Sequence, residues 1–203
     1  MTWQESTRNK MLNLQLPTDP RWADVARMGL KDILVDHAYC EQKAASSCIS
    51  LIIKFPELDR LVEVLSPVVA EEWEHFEAVM KQIRKRGFSF GHPRKDDYVV
   101  QLQAFLRKGG SRKDQLTEYL LMNALIEARS CERFKLLWKN LEDEELKQFY
   151  YELMVSEAGH YMNFIELAKH YEETGKVDKR WEEWLAFESD VIKKLEIRGD
   201  RMH

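Results

Sequence analysis

Glycine and proline are scarce in this chain, eight and five of 203 residues, which excludes a Gly/Pro-rich disordered or fibrous polymer. Cysteine is scarcer still. Cys40, Cys48 and Cys131 form no close pair and no Cys-x-x-Cys, which argues against a disulfide framework and for reduced thiols. No apolar run approaches the ~20 residues of a membrane span. The polar N-terminus carries no signal-peptide core, so a cytoplasmic location with no membrane partner is expected. The net charge of −4 is not basic, so any nucleic-acid contact must come from uneven placement of charge.

What the chain has is 44% apolar and 33% charged residues, the composition of an ordered, mostly helical protein. Its length fits one domain, residues 1–203. Apolar periodicity divides it into an N-terminal arm (1–22) and a long helix over 24–54 closed by Phe55-Pro56. A second helix follows over 56–86, with a kink or restart at Ser66-Pro67. A basic crossover connection (87–111) holds a short helix near 97–108. Ser111 caps a third long helix to Asn140, Asp143 starts a fourth ending near Gly175, and a C-terminal helix spans 178–197. Two hairpins joined by one long crossover predict an all-α, ferritin-like four-helix bundle with an additional C-terminal helix.

Two Glu-x-x-His tetrads, Glu72-Trp-Glu-His75 and Glu157-Ala-Gly-His160, stand on the second helix of each hairpin. Glu41 and Glu127 precede them on the first helices. Residues three, four and seven apart share a helix face. By that rule Glu72 lies in a stripe with Val68, Val69, Phe76 and Val79, and Glu157 in one with Leu153, Met154 and Phe164. Glu41 shares a stripe with Leu34, Ala38, Ala45 and Cys48, and Glu127 one with Leu120, Ala124 and Phe134. Four ionised carboxylates on apolar stripes need compensating positive charge, and neither facing stripe supplies Lys or Arg. Two divalent metals held by Glu41, Glu72, His75, Glu127, Glu157 and His160 satisfy that need, since a Glu from each of two helices plus Glu-x-x-His from each of the others is a known bundle solution. Each glutamate lies about 13–15 residues from its hairpin turn, roughly 20 Å at ~1.5 Å per residue, so all four share one depth. Glu132, nearer its turn beside Arg129 and Lys135, is expected on a solvated face. His37, one turn before Glu41, and Tyr161 are candidates for supporting contacts to the ligands. Spacing does not separate iron from manganese.

Between Lys81 and Lys113 stand ten basic residues against Asp96 and Asp97, a local +8 that leaves −12 for the remainder. Arg84, Lys85, Arg86, Arg94, Lys95, Arg107, Lys108, Arg112 and Lys113 are the candidate RNA contacts. Phe88, Phe90 and Tyr98 are interleaved with them, a mixture suited to phosphates and unpaired bases of loop RNA.

The segments Asp36-His-Ala-Tyr-Cys-Glu41-Gln-Lys-Ala-Ala45, Pro67-Val-Val-Ala-Glu-Glu72-Trp-Glu-His75-Phe, Ile126-Glu127-Ala-Arg-Ser-Cys-Glu-Arg-Phe134 and Ser156-Glu157-Ala-Gly-His160-Tyr resemble the tRNA 2-methylthio-N6-isopentenyladenosine hydroxylase family. The likeness extends over nearly the whole chain. It implies a non-haem diiron monooxygenase that uses O2 to hydroxylate the isopentenyl group beside the tRNA anticodon. On that resemblance the six residues hold two iron ions. No Gly-rich nucleotide motif or iron–sulfur cysteine cluster is present, so the electrons would come from an external reductase. A monomer or small oligomer is expected. The alternatives left open are a ferritin-like ferroxidase or iron-handling protein with the same site, and a metal-free RNA-binding bundle.

Overall fold

A computed structural model describes residues 12–203. The first eleven residues of the expected N-terminal arm lie outside the described ones. Every regular element among the described residues is helical: α1 (Arg21–Met28), α2 (Leu30–Lys54), α3 (Asp59–Lys85), α4 (Asp97–Phe105), α5 (Arg112–Asn140), α6 (Glu144–Tyr171) and α7 (Thr174–Lys194). They fall into two compact units.

One unit runs from Pro20 to Asp96 and includes Ile197–Met202. Its frame is the hairpin of α2 along α3. Leu34, Ala38, Ala45 and Cys48 of α2, with Leu61, Leu65, Val68 and Val79 of α3, are buried. Pro67 sits inside α3, which continues through it without a restart. The expected single helix over 24–54 is interrupted at Gly29, which separates α1 from α2. The cause is a close backbone approach. A Cβ on Gly29 would stand 2.3 Å from the Gly199 carbonyl oxygen, and a Cβ on Gly199 would stand 2.3 Å from the Val25 carbonyl oxygen. The C-terminal segment therefore rests on the break. Met202 N–H donates to the buried Asp36 carboxylate at 2.8 Å, and Arg94 holds Asp32 and the Asp200 carbonyl.

Gly199→Ala should accordingly destabilise this unit by about 1–3 kcal/mol, the usual cost of overpacking. Gly159→Ala, in mid-helix with open space around its Cβ, should stabilise by about 0.5–1 kcal/mol. Urea midpoints of the two variants read both effects. Equal midpoints would contradict the close-approach account.

The other unit comprises Asp97–Glu196, the described residues 12–19, and His203. Its frame is the hairpin of α5 along α6, with α4 and α7 packed in the same unit. Ser111 caps α5 through a reciprocal pair. Its hydroxyl accepts from Asp114 N–H at 3.1 Å, and the Asp114 carboxylate accepts from Ser111 N–H at 2.8 Å. Asp143 caps α6 by accepting from the amides of Glu145 and Leu146. The last helix begins at Thr174 rather than Asp178, and it buries Trp181, Trp184 and Leu185. Trp184 meets the edge of Phe105 on α4 at 4.9 Å.

The interior of this unit holds charge where the sequence predicted a solvated face. Arg129 is fully buried. Its Nε and Nη2 donate to Glu188 Oε1 at 2.8 and 2.7 Å, Nη1 to Thr18 Oγ1 at 2.9 Å and to Glu132, and Nη2 to the Leu16 carbonyl at 2.9 Å. Glu132 also accepts from the Thr18 amide and hydroxyl at 3.0 and 2.7 Å. The solvated assignment of Glu132 is therefore corrected. Besides Arg129, its partner Thr18 comes from a segment more than a hundred residues away, which helix periodicity does not register.

Candidate metal centre

Each unit carries one of the two tetrads and its upstream glutamate. In the α2–α3 hairpin, Glu41, Glu72 and His75 each offer one ligand atom, all within 4.8 Å of one another. In the α5–α6 hairpin, Glu127, Glu157 and His160 do the same. The local reason is helical spacing. Glu and His three residues apart project from one face, and the hairpin brings a glutamate of the preceding helix opposite them. All four glutamates and His160 are buried. His75 is the most accessible ligand of its triplet, with 14% of its side chain exposed against 5% for Glu41 and 1% for Glu72.

The separations inside the triplets differ. His75 Nδ1 stands 3.7 Å from Glu41 Oε2 and 3.8 Å from Glu72 Oε2, too long for hydrogen bonds. Donors bound to one ion at ~2.1 Å stand roughly 3–4 Å apart, so this spacing fits a shared cation. In the other triplet His160 Nδ1 lies 2.9 Å from Glu157 Oε2, within hydrogen-bond range. The donor set of each triplet is carboxylate and imidazole with no thiolate, which suits iron or manganese and argues against a structural zinc site. Cys48 and Cys131 are buried near these faces, but Cys131 Sγ donates to the Met154 carbonyl at 3.3 Å. The residues present thus fit a divalent metal in each half.

Around the ligands, His37 Nε2 is hydrogen-bonded to Glu41 Oε1 in the interior of α2. Tyr161 lies buried, its ring centroid 6.0 Å from that of Trp181. Burial pushes its hydroxyl up to about 12, with a bond to Asn13 acting the other way. In this unit Tyr161 meets Asn13 and Trp181.

The nine basic candidates divide between the units. Arg84 and Lys85 are exposed at the end of α3, and Arg86 donates from Nη1 to the Gln82 carbonyl at 3.3 Å. Arg94 is held by Asp32 and the C-terminal segment, while Lys95 is exposed and its carbonyl accepts from Arg201. In the other unit, Arg107 pairs with Glu183 at 2.6 Å, and Lys108, Arg112 and Lys113 are exposed. Arg107 and Lys108 border a cavity of about 390 Å³ that also takes in Asp114, Glu118, Arg180 and Glu183. Its carboxylates and cations are largely paired with one another. Arg180 bonds Glu118 and Glu183 and holds the Glu183 carboxyl below its usual range.

Tyr98, placed by sequence among the aromatics available to RNA, is instead fully buried. It donates to Glu188 at 3.3 Å and stacks on His203 at 5.2 Å. Phe90 of the crossover instead lies together with Tyr39 of α2 and with Phe76 and Trp73 of α3. Tyr39 stacks on Phe90 at 4.6 Å, Phe76 meets Phe90 edge-on at 6.0 Å, and Trp73 tilts against Phe76 at 4.9 Å. Trp73 and Phe76 flank His75 in sequence, a signal available before the structure but overshadowed by the motif itself.

A helical hairpin carrying Glu on one helix and Glu-x-x-His on the next, present twice, defines a ferritin-like helical protein with a carboxylate–imidazole cluster in each hairpin. A solved structure of the same class agrees. Protein 43 with aldehyde deformylating oxygenase activity, from Synechococcus, is 31% identical, covers 94% of both chains and superposes with a TM-score of 0.88. Within that class, residues 5–203 match the family described as tRNA-(MS[2]IO[6]A)-hydroxylase (MiaE), and the chain belongs to it. Two relatives carry the name tRNA 2-(methylsulfanyl)-N(6)-isopentenyladenosine(37) hydroxylase. The one from Pseudomonas putida is 36% identical over 179 residues, covering 88% of this chain and 86% of the relative. The one from Salmonella typhimurium is 27% identical over 205 residues, covering 77% and 75%.

Proposed function

We infer that this protein is an O2-dependent tRNA hydroxylase that adds a hydroxyl group to the isopentenyl chain of 2-methylthio-N6-isopentenyladenosine beside the anticodon. The observation that carries the reading is the pair of Glu, Glu-x-x-His triplets with buried glutamates in a chain matching the hydroxylase family from residue 5 to 203. We propose that Glu41, Glu72, His75, Glu127, Glu157 and His160 together hold two iron ions. Bound iron would supply oxygen activation, with O2, two external electrons and two protons giving one hydroxyl group on carbon and one water.

The chain's own side chains do the rest. The carboxylates neutralise the metal charge in an interior where uncompensated charge is costly. His37 donates to Glu41 and fixes the direction of that carboxylate. Buried Val68, Val79, Leu153 and Phe164 keep water from the faces on which the ligands stand. Tyr161, its hydroxyl pushed up to about 12 by burial, keeps its proton at neutral pH. The exposed basic residues contact the phosphates of the anticodon loop. A base in a loop is already unpaired, so placing it in a pocket costs less than flipping one from a duplex. The electrons come from a separate reductase, and the protein works in the cytoplasm as a monomer or small oligomer. Among the described residues no helix is long and apolar enough to cross a membrane.

A ferroxidase with the same six residues is not favoured, because both curated relatives are named as the hydroxylase. Nucleoside mass spectrometry decides. After incubation of isopentenylated tRNA with the iron-loaded protein, reductant and oxygen, the modified nucleoside should gain the mass of one oxygen atom. An unchanged nucleoside, with iron verified in the protein and oxidation of free Fe(II) observed instead, would establish the ferroxidase reading.

A further inference from the structure

The α2–α3 unit presents an aromatic cluster that metal binding does not explain. Trp73 is 45% exposed and lies between Glu72 and His75 in sequence, so its indole points away from the buried stripe that carries the ligands. It tilts against Phe76, which meets Phe90, and Phe90 stacks on Tyr39. The Tyr39 hydroxyl donates to the Gly91 carbonyl at 2.8 Å, which ties the connecting loop to α2 and fixes Phe90 in place. Tyr39 stands two residues before Glu41, and Trp73 and Phe76 bracket His75, the most accessible ligand of its triplet. Beyond the cluster, α3 ends in Arg84 and Lys85, both exposed. A fixed row of rings with one indole open to solvent, followed by cations, matches what an unpaired nucleotide offers, a π-face and then a phosphate.

We propose that the Trp73–Phe76–Phe90–Tyr39 cluster is a base-stacking platform, on which Trp73 takes an unpaired loop base neighbouring the nucleoside to be hydroxylated while Arg84 and Lys85 take the backbone phosphates. The proposal rests on the tRNA-hydroxylase reading and deepens it, since it names the surface by which the substrate is held. The row of rings with cations at its far end selects RNA as the occupant: Glu71, Glu74 and Glu77, exposed around Trp73, keep phosphates off the indole and leave it a base face, and Arg84 and Lys85 at the end of α3 meet the backbone. An apolar protein segment would not call for the cations at the end of α3.

The test uses the full iron-loaded chain and a synthetic anticodon stem–loop carrying the isopentenylated adenosine, with affinity read by fluorescence anisotropy. Trp73→Ala should weaken binding about tenfold, the scale of one lost base stack, while Trp73→Phe retains affinity within about threefold. Because Trp73 makes no phosphate contact, Trp73→Ala should leave the slope of affinity against salt unchanged, whereas Arg84→Gln should lower that slope by about one. Iron content of Trp73→Ala should equal that of the wild type, since the exposed indole is not a ligand. If the wild type binds and hydroxylates the stem–loop but Trp73→Ala binds it equally well, the platform is overturned and the hydroxylase reading stands. If the wild type neither binds nor hydroxylates the stem–loop, both are overturned.

Discussion

Replacing Glu127 by alanine is expected to strip metal from the protein and to lower hydroxylation by at least about a hundredfold. The lower bound comes from the 10–100-fold losses that follow removal of mere supporting partners of metal ligands; removal of a ligand should exceed it. Glu127 is buried on α5 with a ligand atom inside the 4.8 Å cluster that it forms with Glu157 and His160. Alanine is the best helix former, so α5 itself should persist. Glu132→Ala is the matched control five residues on. Glu132 bonds Arg129 and Thr18, so its loss should lower stability while iron content stays at the wild-type level. Elemental analysis of the two purified variants reads the difference. Retention of metal by Glu127→Ala together with its loss from Glu132→Ala would reverse the assignment of α5.

Arg129→Met is expected to destabilise the protein by about 3–5 kcal/mol, because it leaves a partner charge buried without its compensation. The guanidinium joins α5 to Glu188 of α7 and to Leu16 and Thr18 ahead of α1, all within one unit. Burial, which outweighs the opposing pull of Arg129, holds the Glu188 carboxyl above the usual carboxylate range. The sign of the pH dependence follows. A carboxyl whose folded-state pKa is raised favours folding at low pH and loses that contribution as pH rises through the folded value. Without Arg129 the same carboxyl is raised further, so the defect should be smaller in acid and grow toward neutral pH. Urea midpoints measured across that range check the trend, and a defect that is equal or larger in acid would contradict it. Adding Glu188→Leu to Arg129→Met should recover much of the loss, since replacing both members of a buried pair by apolar groups is often neutral.

The residues that helix periodicity could place were those whose role depends on near neighbours. Glu72 with His75 and Glu157 with His160 share faces because they are three apart. Glu41 and Glu127 fall opposite them because each hairpin has a short turn. Ser111 and Asp143 were readable as caps for the same local reason. Gly29 was not readable as a break, because its constraint is the carbonyl of Gly199 at the far end of the chain. Glu132 was misread for a parallel reason. Arg129 three residues before it looks like an ordinary surface pair, and only Thr18 and Glu188 make the pair an interior one. Tyr98 followed the composition of its segment into the RNA-facing group, although its Glu188 and His203 partners lie in the last helix and at the C-terminus. Pro67 warned of a restart in α3, but an exposed proline there leaves the helix continuous.

The central claim is that Glu41, Glu72, His75, Glu127, Glu157 and His160 serve one pair of irons rather than two separate ions. Mössbauer spectroscopy of the isotopically loaded, oxidised protein tests it most directly. The account predicts two irons per chain in a magnetically coupled, diamagnetic ground state, with coupling lost when either His75 or His160 is replaced by alanine. Two uncoupled high-spin ferric ions in the wild type, each removed independently by the His75 or the His160 variant, would contradict it.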